Sequence, residues 1–310
     1  MWKRLILCLL AIALALPLTA LGEGTQRVFM EGETEPFPED AELLTVRVCP
    51  LLGADAMLLT LGEHTMLIDA GKKSQYDDVF GMLQDAGLTA VEYALNTHPH
   101  SDHAGCIKPL LEQGFGIGTF ITFFPYDYGD SGQAVIQKST IQALEAAGVP
   151  IVTMKTEDTI PFGSALLTVY RMPDERFVEM SDCNNRSAML MIRYGECSIL
   201  LAADVENEVQ PKLAEMYDLK ADILKYPHHG TVILHNDFLK DVDPEYVVFT
   251  HGTKNTLDAQ KQLIRFGYDR MTFATWGLIT MQTDGQKWIV RQDISPDLTE
   301  YASKYKPGGE

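Results

Sequence analysis

The feature that most restricts the fold of this chain is a dense group of metal-binding side chains at the end of a strand. Residues 96–103 follow an apolar strand pattern, precede a predicted helix, and contain His98, His100, Asp102 and His103. Residues two apart in an extended backbone point to the same side, so His98 and His100 can face one point. Asp102 and His103 lie on the turn into the helix and can face a second point nearby. Imidazole nitrogen with carboxylate oxygen suits zinc, and also accepts manganese or iron.

The two halves of the chain repeat one order of elements. Each half begins with strand patterns and continues with alternating strands and helices. The strand patterns that open the halves are at 44–48, 57–61 and 65–69, and at 165–170, 187–192 and 198–203. Two such halves predict two sheets with helices on their outer faces. The expected fold class is therefore α/β, as a four-layer αββα sandwich.

Composition and charge indicate an ordinary globular protein and argue against general binding of nucleic acid. The chain is 46% hydrophobic and 22% charged, as in ordinary globular proteins. It has 25 Lys and Arg against 43 Asp and Glu, a formal net charge of −18. Such a surface repels phosphate backbones, so strong general binding of nucleic acid is not expected. A bound divalent cation could still overcome that field in one cleft.

The N-terminus predicts export. Lys3 and Arg4 precede the unbroken apolar run Leu5–Leu16, and small residues follow at Ala20 and Gly22. We interpret residues 1–22 as a cleaved signal peptide, which places the mature chain outside the cytoplasm, secreted or in the cell envelope. The alternative is an uncleaved anchor, through which alone the protein would contact a membrane.

The remaining chain divides into three predicted parts. Residues 23–42 are acidic, contain prolines and have no periodicity, so we expect a linker. Residues 43–294 form the predicted domain, and 295–310 a polar tail. Four cysteines follow the signal peptide. They permit three disulfide pairings in an exported protein or are buried thiols; they are Cys49, Cys106, Cys183 and Cys197.

The 98–103 segment resembles the HxHxDH motif of the metallo-β-lactamase fold superfamily. The resemblance implies the αββα sandwich, with a metal site at the edge where its two sheets meet. Leu67–Gly71 is similar to an early element of the family, which implies that Asp69 supports the ligands from behind. The apolar run 199–203 is similar to the strand that delivers the metal-bridging aspartate, here Asp204.

A histidine pair follows a later strand, in residues 223–231. By the resemblance, His228 is the metal ligand and His229 faces the substrate or supports the site, and the reverse assignment stays open. One metal would then have Asp102, His103, Asp204 and His228 as ligands.

One histidine of the superfamily pattern is missing from this sequence. In its place before the 187–192 strand stand Cys183, Asn184 and Asn185. The order of motifs here is similar to the ComEC-like branch, the hydrolase domain of a DNA-uptake protein and its stand-alone relatives. The other metal would have His98, His100 and the shared Asp204, completed by one of these three residues or by water. We expect one or two Zn²⁺ ions, one bound more tightly than the other, with Mn²⁺ as a possible substitute.

The resemblance implies a hydrolase that uses a metal-activated water on a phosphodiester or ester, of nuclease type in the ComEC-like branch. Asp102 would orient the nucleophile. Lys225, His229 or Asn185 would stabilise developing charge, and His251 would lie behind the ligands or contact the substrate. Partners would be small or polymeric esters or phosphodiesters. The alternative is a cell-surface binding protein with a degenerate metal site and no turnover.

Overall fold

The computed structural model describes residues 26–126, 131–173 and 183–309. The strands of the described residues are β1 Val28–Met30, β2 Leu44–Val48, β3 Met57–Leu61, β4 His64–Ile68, β5 Ala90–Leu95, β6 Gly116–Thr122, β7 Ile151–Thr153, β8 Thr159–Phe162, β9 Ala165–Tyr170, β10 Met189–Tyr194, β11 Cys197–Leu201, β12 Ile223–Lys225, β13 Tyr246–Phe249, β14 Met271–Phe273, β15 Gly277–Thr283 and β16 Trp288–Ile294. The helices are α1 Tyr76–Asp85, α2 Ser101–Ala104, α3 Ile107–Glu112, α4 Ser131–Ala146, α5 Gln210–Met216, α6 Asn236–Val242, α7 Leu257–Arg265 and α8 Thr299–Lys304.

The strands form two sheets, each with an antiparallel and a parallel part. The first has the order β1-β16-β15-β2-β3-β4-β5-β6-β7, and the second has the order β14-β13-β12-β11-β10-β9-β8. In the first sheet β4 to β7 are parallel neighbours. In the second sheet β11 to β14 are parallel neighbours. Strands β1 to β7 thus lie in the first sheet and β8 to β14 in the second, so each half of the sequence forms most of one sheet. The last two strands, β15 and β16, return to the first sheet.

The side chains of the strands alternate between an inner and an outer apolar layer. Leu59 on β3 and Ile199 on β11 share the core between the sheets. Their neighbours Leu58 and Leu200 point the other way. Leu58 packs in a layer with α1, α3 and α4, and Leu200 in a layer with α5, α6 and α7. This period of two is what a sheet covered on both faces requires, and the predicted four-layer αββα class is confirmed.

The predicted linker and tail are corrected by the structure. Within 23–42, β1 adds to the first sheet, parallel to β16. The backbone N–H groups of Arg27 and Val28 donate to the carboxylate of Glu245. Within 295–310, Tyr305 of the C-terminal segment lies with its ring 5.1 Å from the ring of Trp276. Short edge strands and aromatic contacts give weak sequence patterns, so these additions were missed.

Two expectations concern the remaining N-terminal residues and the cysteines. The predicted signal peptide, residues 1–22, lies outside the described residues, as do residues 23–25. Among the described helices, none has the length and apolar character needed to cross a membrane. The four described cysteines are buried and no disulfide joins any two of them. The structure therefore supports buried thiols and not disulfides for these four residues.

Candidate metal centre

The candidate metal centre lies where strands of both sheets end at one edge of the sandwich. Asp69 follows β4, and His98 follows β5. Asp204 follows β11, and His229 follows β12 in the other sheet. Carboxyl ends of neighbouring parallel strands share an edge, so these side chains meet although up to 160 positions separate them.

Four buried side chains form a group that fits a divalent metal ion: Asp55, His103, Asp204 and His229. Each offers one ligand atom, and these atoms lie within 4.8 Å of one another. Nε2 of His103, Nε2 of His229 and Oδ1 of Asp204 are buried and make no hydrogen bond to any described residue. Buried polar atoms are nearly always partnered in folded proteins, and nitrogen and oxygen donors suit a divalent cation. The donor set therefore fits a metal ion.

Four imidazoles surround one carboxylate oxygen, Oδ2 of Asp204. Nε2 of His103 lies 3.2 Å from this oxygen, and Nε2 of His229 lies 3.5 Å from it. Nε2 of His98 and Nε2 of His228 each lie 3.9 Å from it. In each ring the same nitrogen faces the same oxygen, which is the arrangement expected around a carboxylate that binds metal.

The opposite nitrogen of these rings is held by another side chain. Nδ1 of His103 lies 2.7 Å from Asp69 Oδ2. Nδ1 of His229 lies 3.0 Å from Asp55 Oδ1, and Nδ1 of His98 lies 3.1 Å from the hydroxyl of the adjacent Thr97. Metal-binding histidines usually have such a partner, which sets the ring orientation and leaves Nε2 for the metal.

Asp69 was expected to support the ligands from behind, and the structure places it against His103. It also accepts hydrogen bonds from the backbone N–H and the hydroxyl of Thr97, at 2.8 and 2.7 Å, and from the Asn96 amide at 3.0 Å. Asp69 thereby fixes the start of the 98–103 loop and the ring of His103 together.

The structure brings His229, and not His228, into the four-residue group. Both residues have a positive φ, 47° for His228 and 56° for His229, in a short turn that ends at Gly230. Gly230 has φ 96°, and a Cβ there would collide with the ring of Phe249. The expected ligand set with His228 at this position is thus corrected, because the turn directs the second imidazole of the pair inward.

No sequence pattern points to Asp55. It lies between β2 and β3 and is fully buried. Its Oδ2 pairs with the ammonium of Lys225, and its Oδ1 accepts a hydrogen bond from the Thr250 hydroxyl at 2.6 Å. One aspartate in an apolar loop carries no local pattern, and its partner His229 is 174 positions away. Only its place in an apolar run could have drawn attention to it.

Lys225 and Asn185 do not occupy the positions expected for groups that contact a substrate. Lys225 is fully buried, and besides Asp55 it donates to the carbonyl oxygen of Ala203 at 3.1 Å. Asn185 is 1% exposed, donates to Glu208 and accepts from the backbone N–H of Glu206. Both side chains hold protein groups in place, which corrects the expected stabilisation of developing charge on a substrate.

The other residues before β10 also have places in the structure. Asn184 donates from its amide to Glu206 Oε1 at 2.8 Å. Cys183 packs in the core between the sheets. The Cys183 side chain is therefore part of the apolar core, and Asn184 contacts Glu206, which in turn contacts His228.

His100, Asp102 and His251 lie at the more accessible side of the centre. Nδ1 of His100 is 3.0 Å from Nε2 of His98. The Asp102 side chain is 27% exposed, and its Oδ2 lies 3.7 Å from Nε2 of His229. His251 accepts from the N–H of Gly252 at 2.8 Å and lies against Gly53, beside the loop that carries Asp55.

Electrostatic coupling sets the protonation of the metal-free centre. Burial opposes charge on His229, but the carboxylates of Asp204 and Asp55 raise its pKa to about 9. The same balance, with Asp204 and Asp69, raises the pKa of His103 well above its usual value. Burial lowers the pKa of His98 well below its usual range. Without metal, His103 and His229 are therefore cations between carboxylates at neutral pH.

Metal affinity is expected to rise with pH up to about 9. A metal ion binds the neutral imidazole, so below its pKa of about 9 His229 must first release a proton. Affinity should change about tenfold per pH unit for each proton displaced. Competition with a chelator for Zn²⁺ between pH 6 and pH 9 measures this slope. A pH-independent affinity over that range would show that neither His103 nor His229 binds the metal.

The fold and the site together define a metal-binding α/β protein with an αββα sandwich. A family model described as the Metallo-beta-lactamase superfamily matches residues 49–116, a segment that contains Asp55 and the 98–103 loop. The match covers less than a quarter of the chain and shows a resemblance to that superfamily over this segment. No curated protein sequence gives a significant match.

Several solved structures have a similar fold. The metallo-β-lactamase fold protein YhfI from Bacillus subtilis is 12% identical, with 75% of this chain and 96% of that chain covered and a TM-score of 0.48. CmlA, a diiron β-hydroxylase from Streptomyces venezuelae, is 16% identical, with coverages of 77% and 53% and a TM-score of 0.47. A Cronobacter sakazakii metallo-β-lactamase is 14% identical, with coverages of 56% and 73% and a TM-score of 0.36. These likenesses concern the fold alone.

Proposed function

We propose that this chain is an exported metal-dependent hydrolase that cleaves a phosphodiester or ester. The observation that carries the proposal is the convergence of four Nε2 atoms on Asp204 Oδ2, all within 3.9 Å. Members of the matched superfamily are typically metal-dependent hydrolases. Secretion or location in the cell envelope is part of the proposal and rests on the signal-peptide pattern of residues 1–22, with its apolar run Leu5–Leu16.

The residues of the centre have two proposed roles, to bind the metal and to orient the attacking water. His103, His229 and Asp204 would hold a divalent ion, which supplies acidified water and polarises an ester oxygen. Burial opposes charge on Asp102, but the nearby imidazoles of His229 and His103 keep its pKa well below its usual value. Asp102 is therefore ionised at neutral pH, and its partly exposed carboxylate can accept a hydrogen bond from an attacking water.

The substrate is proposed from access and charge. Three residues of the centre are partly exposed: His100, Asp102 and His228. The others, His98, His103 and Asp204, are buried. A substrate would therefore reach the centre from the exposed side. With a net charge of −18 the chain does not favour a long polyanion. We therefore propose a small or polymeric ester or phosphodiester that presents one linkage to the centre.

The test is hydrolysis of bis-p-nitrophenyl phosphate and of a p-nitrophenyl ester by the purified chain loaded with Zn²⁺ or Mn²⁺. Turnover should disappear on chelation, and Asp102→Asn should lower kcat by about 10² to 10⁴-fold. Asp85→Asn, at an exposed carboxylate on α1, should leave kcat unchanged. A salt series with a nucleic acid competitor separates the substrate classes, because only polyanion binding weakens steeply with salt. Metal binding with no turnover on either substrate would contradict the proposal and favour a binding protein.

A further inference from the structure

The neighbouring residues His228 and His229 direct their rings to different places. Positive φ values of 47° and 56° put both in the left-handed region, which is uncommon for residues other than glycine. Their ring centroids are 6.0 Å apart and the ring planes meet at 64°. Both rings nevertheless present Nε2 to Asp204 Oδ2, at 3.9 and 3.5 Å. The turn therefore spreads two successive imidazoles around one carboxylate.

The two rings are held by different partners. His229 contacts Asp55 through Nδ1 and is buried. Nδ1 of His228 lies 2.9 Å from Glu206 Oε1. That contact lowers the pKa of Glu206 and keeps it ionised, and the same oxygen accepts from the Asn184 amide. A carboxylate behind Nδ1, with Nε2 turned to the site, is the arrangement that orients a metal-binding histidine.

A second pair of nitrogens, on His98 and His100, lies near the same carboxylate. Nε2 of His98 is 3.9 Å from Asp204 Oδ2 and 3.0 Å from Nδ1 of His100. Two nitrogens that share a tetrahedral zinc ion at about 2.05 Å are separated by roughly 3.3 Å. The His98 and His100 nitrogens, in hydrogen-bond contact at 3.0 Å, are close enough together to bind one ion after a small separation, and a third protein nitrogen would complete a three-histidine set.

We infer that His228 is that third nitrogen: it binds a second metal ion with His98 and His100, and Glu206 positions its ring. Three histidines are a standard set for zinc, with a shared carboxylate as a further ligand. The inference rests on the proposed metal-dependent function and deepens it. It also accounts for the missing histidine before β10, where Asn184 instead helps to hold Glu206.

The inference is tested by counting metal ions, independently of activity. The chain is stripped with chelator, titrated with Co²⁺ while its visible absorption is followed, and analysed for bound metal after gel filtration. Wild type should bind two equivalents and His228→Ala one. His64→Ala is the matched control, because His64 is a partly exposed histidine held by Glu92 at the opposite end of β4, and it should bind two.

A second variant covers the case in which His228→Ala does not fold. Glu206→Gln keeps the shape of the side chain but removes its charge, and should weaken the second equivalent by about 10 to 100-fold while the first is unaffected. Two tight equivalents in both variants would overturn the inference, and so would a single equivalent in wild type. If wild type binds two and His228→Ala one without any hydrolysis, the proposed function fails and the inference stands.

Discussion

Replacing Asp204 with asparagine is expected to abolish hydrolysis, with a loss of at least about a thousandfold in kcat/KM. Four imidazole nitrogens face the Asp204 carboxylate, so it is the group common to every proposed metal position. An amide has the same shape but no charge, so a divalent ion there would lose the carboxylate that faces all four imidazoles and with it its strongest electrostatic partner. Metal analysis and kcat/KM for bis-p-nitrophenyl phosphate, measured on the same preparation, report both effects.

The control for this variant is Asp222→Asn. Asp222 is 7% exposed and accepts hydrogen bonds from Ser198, at the start of β12 and so at the far end of that strand. The same carboxylate-to-amide change there should leave metal content and kcat/KM within about twofold of wild type. Full metal content and near-normal turnover in Asp204→Asn would show that the reaction does not depend on this carboxylate.

The sequence predicted the fold better than the details of the site, and the reason is physical. The pattern of apolar residues along a strand shows whether one or both of its faces are buried. This signal is local in the sequence, and it predicted β2, β3 and β9. The 98–103 loop was found for the same reason, since its ligands are consecutive in the chain. Strands such as β1, which is three residues long, have too few residues to show a period.

Roles that depend on contacts between distant parts of the chain were not predictable. Asp55 joins the site through His229, 174 positions later, and nothing near Asp55 in the sequence reports this contact. Which of His228 and His229 points into the four-residue group depends on two positive φ values, and histidine at those positions does not predict them. Asn185 is polar and next to the motifs, yet its hydrogen bonds go to Glu206 and Glu208, because β10 and β11 are antiparallel neighbours and the segment before β10 lies beside the segment after β11.

Lys225 is the clearest of these cases, and its removal is expected to cost the metal-free protein about 3–5 kcal/mol of unfolding free energy. Its ammonium is fully buried beside the Asp55 carboxylate, whose pKa it helps to lower against the effect of burial. Lys225→Met would leave Asp55 buried with His229 at 3.0 Å and His103 at 4.0 Å as cationic partners, and a buried charge that loses its ammonium partner is costly. Urea unfolding in the presence of chelator measures the loss, because bound metal would add its own stabilisation.

Two further variants separate the ion pair from loss of packing. Lys220→Met removes an exposed lysine that pairs with Asp243, and should cost less than about 1 kcal/mol. The double variant Asp55→Asn with Lys225→Met removes both charges of the buried pair and should recover part of the lost stability. A loss below about 1 kcal/mol for Lys225→Met alone would show that Asp55 does not need this cation. The lysine would then be retained for its effect on His229 and the metal, which Asp55 transmits through Nδ1 of that ring.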